Sequence, residues 1–392
     1  MNLRDKNTVL KSLCCVFLLG LSSCNTAKIE TRLPQQKNEV YPIFSWEKVP
    51  IAFHFGKAGD LTQDEAKFIT SKSNFIVLEK GHGLPTYNNT EDGIAQEAIK
   101  LKKLNPNMKV IFYWNAFLDY SMYKAHAVYE SHPEWWLKTK DGNYDLKNGS
   151  IKRYDLSNPE VRKWWVETAK KEVLNGPTDG VFMDAFIQVA SKDNIKLWGQ
   201  EKYDAMQQGL KDLITETRQA LGSEKLIVYN GIRSIPDNNT GNNFPEHTDA
   251  VMIEHFGIIK SNSKESMLKD IQEMEKAGKT GKIVVFKGWP GYAWIDKDFM
   301  AKPLTEKQQI SKENITFPLA SFLVGAQENS YFIYNWGYRF KHGAVDWYPE
   351  FDKPLGKPLH DMKVNGWKLK RDFEHASIWV NLETKEAKID WK

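Results

Sequence analysis

Two carboxylates close apolar runs in this chain. Asp184 ends the run that begins at Gly180, and Glu254 ends the run that begins at Ala250. An ionised carboxylate in a dry core is costly, so we expect each acid where its strand leaves the core. Two carboxyl groups can cleave a glycosidic bond, because one protonates the leaving oxygen while the other attacks the anomeric carbon or activates water. We therefore predict that Asp184 and Glu254 are a catalytic pair; as the plainer alternative, Asp184 is a helix cap or a loop acid.

Glu79 is a rival acid at the end of another apolar run. It is followed by Lys80 and His82, so it can pair with Lys80, cap a turn or contact sugar hydroxyls. A catalytic pair formed by Asp184 and Glu79 therefore stays open beside the first pair.

Other ends of the apolar runs carry side chains that suit a sugar. Asparagine both donates and accepts hydrogen bonds, tryptophan rings can stack on the apolar faces of sugars, and histidine or lysine can hold an anionic group. For each of them the plain alternative is an aromatic of the core or a polar group paired within the protein. The predicted substrate-binding residues are His54, Glu79, His82, Trp114, Asn115, Asn230, His255, Lys287, Trp289, Asn335 and Trp336, with Trp294 as a further stacking platform.

The sequence lacks the common motifs for metal, phosphate and nucleophilic serine chemistry, and its cysteines lie near the N-terminus. The first apolar run has no His-x-His, and the chain has no His-Glu-x-x-His, no glycine-rich phosphate loop and no Gly-x-Ser-x-Gly. The three cysteines are Cys14, Cys15 and Cys24, all near the N-terminus, so the rest of the chain offers no thiolate. We expect no metal and no cofactor.

Eight apolar runs of strand length alternate with helical patterns. Such runs are typical of parallel strands that are buried on both faces. The order predicts an α/β fold, a (β/α)8 TIM barrel, over residues 45–350, with a small β element packed on it over residues 351–392. The long, aromatic connection 117–155 is expected to form a wall of the active site. The runs are residues 51–56, 75–79, 109–115, 180–184, 226–230, 250–254, 283–287 and 331–335.

The first 24 residues have the pattern of a bacterial lipoprotein signal. Basic residues precede an apolar run, 13–21, that is too short to span a bilayer, and Leu21-Ser22-Ser23-Cys24 resembles a lipobox. We expect lipidation at Cys24, a polar tether over residues 25–44, and an exported lipoprotein at the outer membrane or cell surface. A plain secretory signal with an incidental cysteine is the alternative.

The formal net charge is +4, and the basic start of the chain contributes half of it. A balance so close to neutral is not that of a nucleic-acid-binding protein. We expect a monomer whose partners are a polysaccharide substrate and, through the lipid anchor, a membrane.

Five segments resemble barrel glycosidases of bacterial polysaccharide-degrading lipoproteins. They are residues 107–115, 154–162 (YDLSNPEVR), 179–184 (DGVFMD), 354–358 and 371–375. The nearest characterised group is that of the endo-fucanases of glycoside hydrolase family 168, which cut sulfated fucans. Because the net charge is close to neutral, a sulfate site must be local, and its candidate residues are Lys80, His82, Arg153 and Lys287. The resemblance implies a retaining, endo-acting hydrolase with Asp184 as the nucleophile and Glu254 as the general acid/base. For that role we expect a raised pKa at Glu254.

The alternative from another class is a surface lipoprotein that binds glycans without cleaving them. Substitution of both acids separates the two, because a binding protein keeps its affinity and has no turnover to lose.

Overall fold

Eight parallel strands form the central sheet in a computed structural model, which describes residues 39–234 and 246–392. The predicted signal, Cys24 and most of the predicted tether lie outside the described residues. The first ten strands along the chain are β1 (Phe53–Phe55), β2 (Phe75–Leu78), β3 (Lys109–Asn115), β4 (Leu146–Lys147), β5 (Ile151–Lys152), β6 (Gly180–Asp184), β7 (Leu226–Ile232), β8 (Ala250–Ile253), β9 (Ile283–Gly288) and β10 (Ser330–Tyr334).

The sheet curls into a barrel. Its strand order is β1-β2-β3-β6-β7-β8-β9-β10, and every pair is parallel. Main-chain hydrogen bonds join the first strand edge to the last, from Ala52 N to Phe332 O (3.0 Å) and from Gly56 N to Tyr338 O (2.8 Å). All eight predicted runs form these strands, and the strands are buried almost throughout. Because both faces are covered, each strand reads as continuously apolar.

Helices pack around the barrel between the strands. The helix α1 begins with a capping box, in which Thr62 and Glu65 satisfy each other's main-chain N–H groups. The helices are α1 (Gln63–Lys72), α2 (Leu84–Tyr87), α3 (Thr90–Leu104), α4 (His126–Glu130), α5 (Pro159–Val173), α6 (Phe186–Ala190), α7 (Asn194–Trp198), α8 (Gln200–Leu221), α9 (Lys264–Lys279), α10 (Lys297–Ala301), α11 (Leu304–Asn314) and α12 (Thr316–Gly325). In the part of the chain that is described, no helix is both long and apolar enough to cross a membrane.

The helical pattern before the last barrel strand forms two helices and not one. The sequence predicts a single helix over residues 305–324, whereas α11 ends at Asn314 and α12 begins at Thr316. Pro318 has no N–H to donate to the carbonyl of Asn314, four residues earlier, and its ring clashes with that carbonyl. The helix therefore breaks just before the proline.

The connection between β3 and α5 folds over one side of the barrel. It contains α4, a 3-10 turn at Pro133–Trp135 and the antiparallel hairpin of β4 and β5. The buried Tyr129 ties the middle of this connection to its C-terminal end, since its hydroxyl shares its proton between the carbonyls of Trp135 (3.1 Å) and Arg153 (2.8 Å).

A four-stranded antiparallel sheet completes the fold. Its strands are β11 (Lys363–Asn365), β12 (Lys368–Asp372), β13 (Ala376–Asn381) and β14 (Glu386–Trp391). Arg371 on β12 is buried and donates to main-chain carbonyls at the end of α12, among them those of Leu323 (3.4 Å) and Ala326. The predicted fold class, a (β/α)8 barrel with a small C-terminal β element, is confirmed.

Candidate active site

A cavity of about 810 Å³ lies at the carboxyl ends of the barrel strands. Asp184 at the end of β6 and Glu254 directly after β8 both line it, as do Asn230 on β7 and Glu79 directly after β2. In barrels of this kind the active site is formed at this end of the strands. We call it the mouth cavity.

Asp184 is held by three hydrogen-bond donors. Its Oδ2 accepts from the Tyr113 hydroxyl and from Asn115 Nδ2 (3.2 Å), and its Oδ1 accepts from Asn230 Nδ2 (2.9 Å). Asn115 and Asp184 face each other in the register of β3 and β6. The next residue, Ala185, has a left-handed backbone with a φ of 73°, which costs a non-glycine residue about 1 kcal/mol. The chain thus turns sharply after Asp184 and leaves its carboxylate at the rim.

Glu254 is held in the same way. Its Oε1 accepts from the Tyr338 hydroxyl (2.5 Å), and its Oε2 accepts from Asn230 Nδ2 (2.7 Å). His255 Nε2 lies 3.2 Å from the same Oε2. The indole of Trp289 donates to the main-chain carbonyl of Glu254 (2.7 Å) and so fixes the backbone that carries the acid.

The amide nitrogen of Asn230 joins the two acids. Hydrogen bonds of 2.9 Å to Asp184 and 2.7 Å to Glu254 start from one atom, so the two acceptor oxygens are at most about 5.6 Å apart, the sum of both distances. Residues on two barrel strands that are not adjacent, β6 and β8, are thereby brought to a fixed separation by the strand between them.

The pKa of Glu254 is lowered in the free protein, and the expectation of a raised value is wrong. Burial raises this pKa, but the charge of the His255 imidazolium and the hydrogen bonds from Tyr338 and Asn230 lower it and outweigh burial. These donors stabilise the ionised form. A sequence pattern does not reveal such donors, because Tyr338 comes from the connection after β10.

Glu79 has both carboxylate oxygens occupied by protein partners. His54 Nε2 lies 3.0 Å from Oε1, and Lys80 Nζ donates to Oε2 (2.8 Å). Burial opposes ionisation, but the charge of Lys80 and the contacts with His54 lower the pKa of Glu79 to about 2. Lys80 in turn donates to the Tyr113 hydroxyl (3.2 Å), so a chain of hydrogen bonds through Lys80 and Tyr113 connects Glu79 to Asp184. An acid with this pKa is unsuited to donate a proton near neutral pH.

Of the predicted substrate-binding residues, Glu79, Asn230 and His255 line the mouth cavity. The others lie on barrel strands or in the connections that follow them, and their side chains are buried against protein. They are His54, His82, Trp114, Asn115, Lys287, Trp289, Asn335 and Trp336.

Several of these buried residues support the cavity from behind. Lys287 Nζ donates to Asn335 Oδ1 and to the carbonyl of Gly337 (3.0 Å), next to Tyr338. Burial lowers the pKa of Lys287 to about 7. The pair of Lys287 and Asn335 therefore holds the connection that delivers the Tyr338 hydroxyl to Glu254.

One of the four predicted stacking platforms lines the mouth cavity. Trp294 does so, with its ring centroid 4.7 Å from that of Tyr338. Trp114 and Trp336 are fully buried. Trp114 donates to the Trp165 carbonyl (3.3 Å) on α5, which places its indole on the outer face of β3, whereas Asn115, the next residue, contacts Asp184. Successive strand residues face opposite sides.

Sequence reasoning missed Tyr113, Tyr338 and Lys147. Tyr113 stands two residues before Asn115 on one strand, so the strand period could have placed it on the inner face beside Asn115. Tyr338 and Lys147 lie in connections or on a two-residue strand, where no periodic signal exists. Both line the mouth cavity, and Tyr338 also donates to Glu254.

Among the described residues, Asp119, His126 and Glu130 offer ligand atoms within 4.8 Å of one another. Asp119 faces Nδ1 of the ring (2.7 Å) and Glu130 faces Nε2 (3.9 Å). A single ion binds one nitrogen of an imidazole, and Glu130 is ion-paired with Lys152. The geometry fits a hydrogen-bonded row of side chains better than a metal site. Burial raises the pKa of Asp119 to about 6.

The sequence matches the model of a known family, hypothetical glycosyl hydrolase family 15, over residues 102–377. No protein of curated function matches it. The backbone is similar to an α-amylase from Geobacillus thermoleovorans, with 10% identity, a TM-score of 0.45, and 86% of this chain and 87% of that chain covered. The backbone is also similar to a maltogenic α-amylase from Thermotoga neapolitana, with 12% identity and a TM-score of 0.45. The match covers 85% of this chain and 86% of that chain.

A cycloisomaltooligosaccharide glucanotransferase from Paenibacillus sp. is similar with 14% identity and a TM-score of 0.43. The match covers 64% of this chain and 40% of that chain. This chain spans well under half the length of that enzyme. Likenesses at these identities and scores carry no substrate or mechanism to this chain. The family match is different in kind, because it extends from α3 to β13 and includes Asp184, Asn230 and Glu254. It covers well over half of the sequence, and the chain therefore belongs to the hypothetical glycosyl hydrolase family 15.

Proposed function

We propose that this protein is a retaining glycoside hydrolase with Asp184 as the nucleophile and Glu254 as the general acid/base. The observation that carries the proposal is the amide of Asn230, which donates to both acids. It limits the separation of Asp184 Oδ1 and Glu254 Oε2 to at most about 5.6 Å. Retaining pairs are about 5–5.5 Å apart, whereas inverting pairs need about 6.5–9.5 Å to admit a water molecule.

In the first step, a carboxylate oxygen of Asp184 attacks the anomeric carbon while Glu254 gives its proton to the leaving oxygen. The bond from the anomeric carbon to that oxygen breaks, and a glycosyl ester of Asp184 forms. In the second step, Glu254 takes a proton from water, and the water oxygen attacks the anomeric carbon and releases Asp184. Tyr113, Asn115 and Asn230 hold Asp184 in place for both steps.

The lowered pKa of Glu254 favours a second assignment, in which the roles are exchanged. A glutamate kept ionised by Tyr338 and Asn230 is well prepared to attack, and Asp184 would then supply the proton. The separation of the acids is the same in both assignments. We retain Asp184 as the nucleophile because the resemblance matches it to that position.

For the substrate, we propose an anionic polysaccharide such as a sulfated fucan, cleaved internally. Supporting this, the cavity lining contains six lysine and arginine side chains against three acids. We further propose that the enzyme is exported and anchored through lipid at Cys24, where it meets extracellular polysaccharides.

Rescue by azide tests the mechanism and the order of the acids. In Asp184→Gly, azide should replace the nucleophile and give a glycosyl azide of inverted configuration. In Glu254→Ala, azide should attack the glycosyl ester and give a retained product. The opposite pattern would establish the exchanged assignment. Glu134, an exposed acid that is not among the residues lining the cavity, provides the control Glu134→Gln.

The same substrates distinguish an enzyme from a glycan-binding protein. Hydrolysis of a polysaccharide by the purified protein, lost in Asp184→Asn and Glu254→Gln with binding kept, supports the enzyme. Wild-type cleavage rates in both variants would overturn the assignment of the pair.

A further inference from the structure

The mouth cavity is lined by more positive than negative side chains. The cationic residues are Lys57, Lys80, Lys147, Arg233, Arg339 and Lys341, and the acids are Glu79, Asp184 and Glu254. The net charge of the whole chain, +4 over 392 residues, gives no sign of this local excess. A cleft whose lining has an excess of one sign of charge attracts ligands of the other sign.

Half of these cations are bound within the protein. Lys80 is paired with Glu79 at 2.8 Å, and Lys57 is paired with Glu65 at 2.6 Å. Arg233 donates to the main-chain carbonyl of Ile259. These three contacts assign each of those side chains a structural task.

Four residues that the sequence suggested for a sulfate group have protein partners as well. Lys80 is one of them. His82 faces Glu97 at 3.3 Å, and Arg153 faces Asp145 at 3.0 Å. Lys287 is buried behind the cavity and donates to Asn335. The predicted holders of an anion are therefore committed elsewhere.

Lys147 differs from these residues in the contacts of its ammonium group. It lies on β4, in the hairpin that folds over the barrel, and it is half-buried where it lines the mouth cavity. No hydrogen bond or ion pair joins its ammonium to a residue within 39–234 or 246–392. Burial lowers its pKa, while the charges of Asp184 and Glu254 act in the opposite direction. These two acids already have three close polar partners each.

A half-buried ammonium without a counterion is stabilised when an anion from outside binds to it. We propose that Lys147 binds an anionic substituent of the glycan, a sulfate ester or a carboxylate, beside the pair of Asp184 and Glu254. Arg339 and Lys341, both exposed on the connection after β10, add to the positive field at the rim. The inference rests on the proposed function and names the residue that selects its substrate.

The test is kinetic, on matched polymers. Lys147→Gln is assayed on a sulfated polysaccharide that the wild type cleaves and on its desulfated form, and on a uronate polymer and its carboxyl-reduced form. On the charged member of the relevant pair, KM should rise about tenfold, with kcat changed less than about threefold, as for the loss of one ion pair. On the uncharged member the variant and the wild type should behave alike. The pair that responds identifies the anion.

Lys140→Gln is the matched control. Lys140 lies in the same connection, is exposed and does not line the cavity, so its substitution should leave both kinetic constants unchanged. Binding can be measured without turnover in the Asp184→Asn background. The retardation of the protein in gels that contain the charged polymer then reports the contact of Lys147 with the anion.

The outcomes separate the inference from the proposed function. If Lys147→Gln keeps the wild-type KM on every charged polymer that is cleaved, the inference is overturned and the hydrolase stands. If no polymer is cleaved but Lys147→Gln abolishes the retardation, the anion contact is supported and the hydrolase fails.

Discussion

One amide side chain, that of Asn230, donates to both candidate catalytic acids. If Asn230 is changed to alanine, Asp184 and Glu254 each lose one donor, and the side chain that bridges the two acids is gone. We expect kcat to fall by about 10²–10³, the effect typical of losing one well-placed donor, with a smaller change in KM. Steady-state kinetics on a cleaved polysaccharide measures both constants.

The exposed Asn143, in the turn before β4, provides a control. Asn143→Ala should retain wild-type kinetics. A kcat for Asn230→Ala within threefold of the wild type would mean that the amide does not position the pair.

The Tyr338 hydroxyl is one cause of the lowered pKa of Glu254. Tyr338→Phe removes that donor, so the pKa of Glu254 should rise. When Glu254 is the general acid, activity requires its protonated form, and the basic limb of the profile of kcat/KM against pH should move to higher pH. When Glu254 is the nucleophile, the acidic limb should move instead. Either limb would move to higher pH, so which of the two limbs moves decides between the two assignments.

At the level of elements, β9 carries a lysine into the barrel wall. Burial lowers the pKa of Lys287 from 10.5 to about 7. Between these values the unfolded chain binds more protons than the native one, so the free energy of unfolding should rise with pH. The slope is up to about 1.4 kcal/mol per pH unit for one group.

Lys287→Met should lack this dependence. Denaturant unfolding of both proteins at pH 7, 8 and 9 gives the difference in unfolding free energy, which should change by more than about 1 kcal/mol across the range. Equal slopes for the two proteins would show that the native lysine keeps an ordinary pKa.

The strands could be predicted from the sequence because each parallel strand, covered on both faces, is a short apolar run. The same logic placed Asp184, Asn230 and Glu254 at one end of the barrel. It did not extend to connections: Tyr338 and Lys147 reach the cavity from segments whose path depends on tertiary packing. Strand alternation places the adjacent Trp114 and Asn115 on opposite faces, but the sequence did not show which of the two faces lies inside the barrel.

At the level of the whole molecule, the C-terminal sheet packs against α12, and we expect it to stabilise the barrel. The helix α12 is buried from Pro318 to Gly325, and Arg371 joins β12 to its last carbonyls. Burial lowers the pKa of this guanidinium, so its stability in that place depends on those acceptors.

Arg371→Met leaves carbonyls at the end of α12 without their donor in a buried place. We expect the free energy of unfolding to fall by about 3 kcal/mol, as for buried polar groups that lose a charged partner. Lys370, the preceding residue on β12, is exposed. Lys370→Met should change the free energy of unfolding by less than about 0.5 kcal/mol. Denaturant unfolding should show one transition in both variants if the sheet and the barrel unfold together. A separate early transition in Arg371→Met would instead mean that the barrel holds its fold without the sheet.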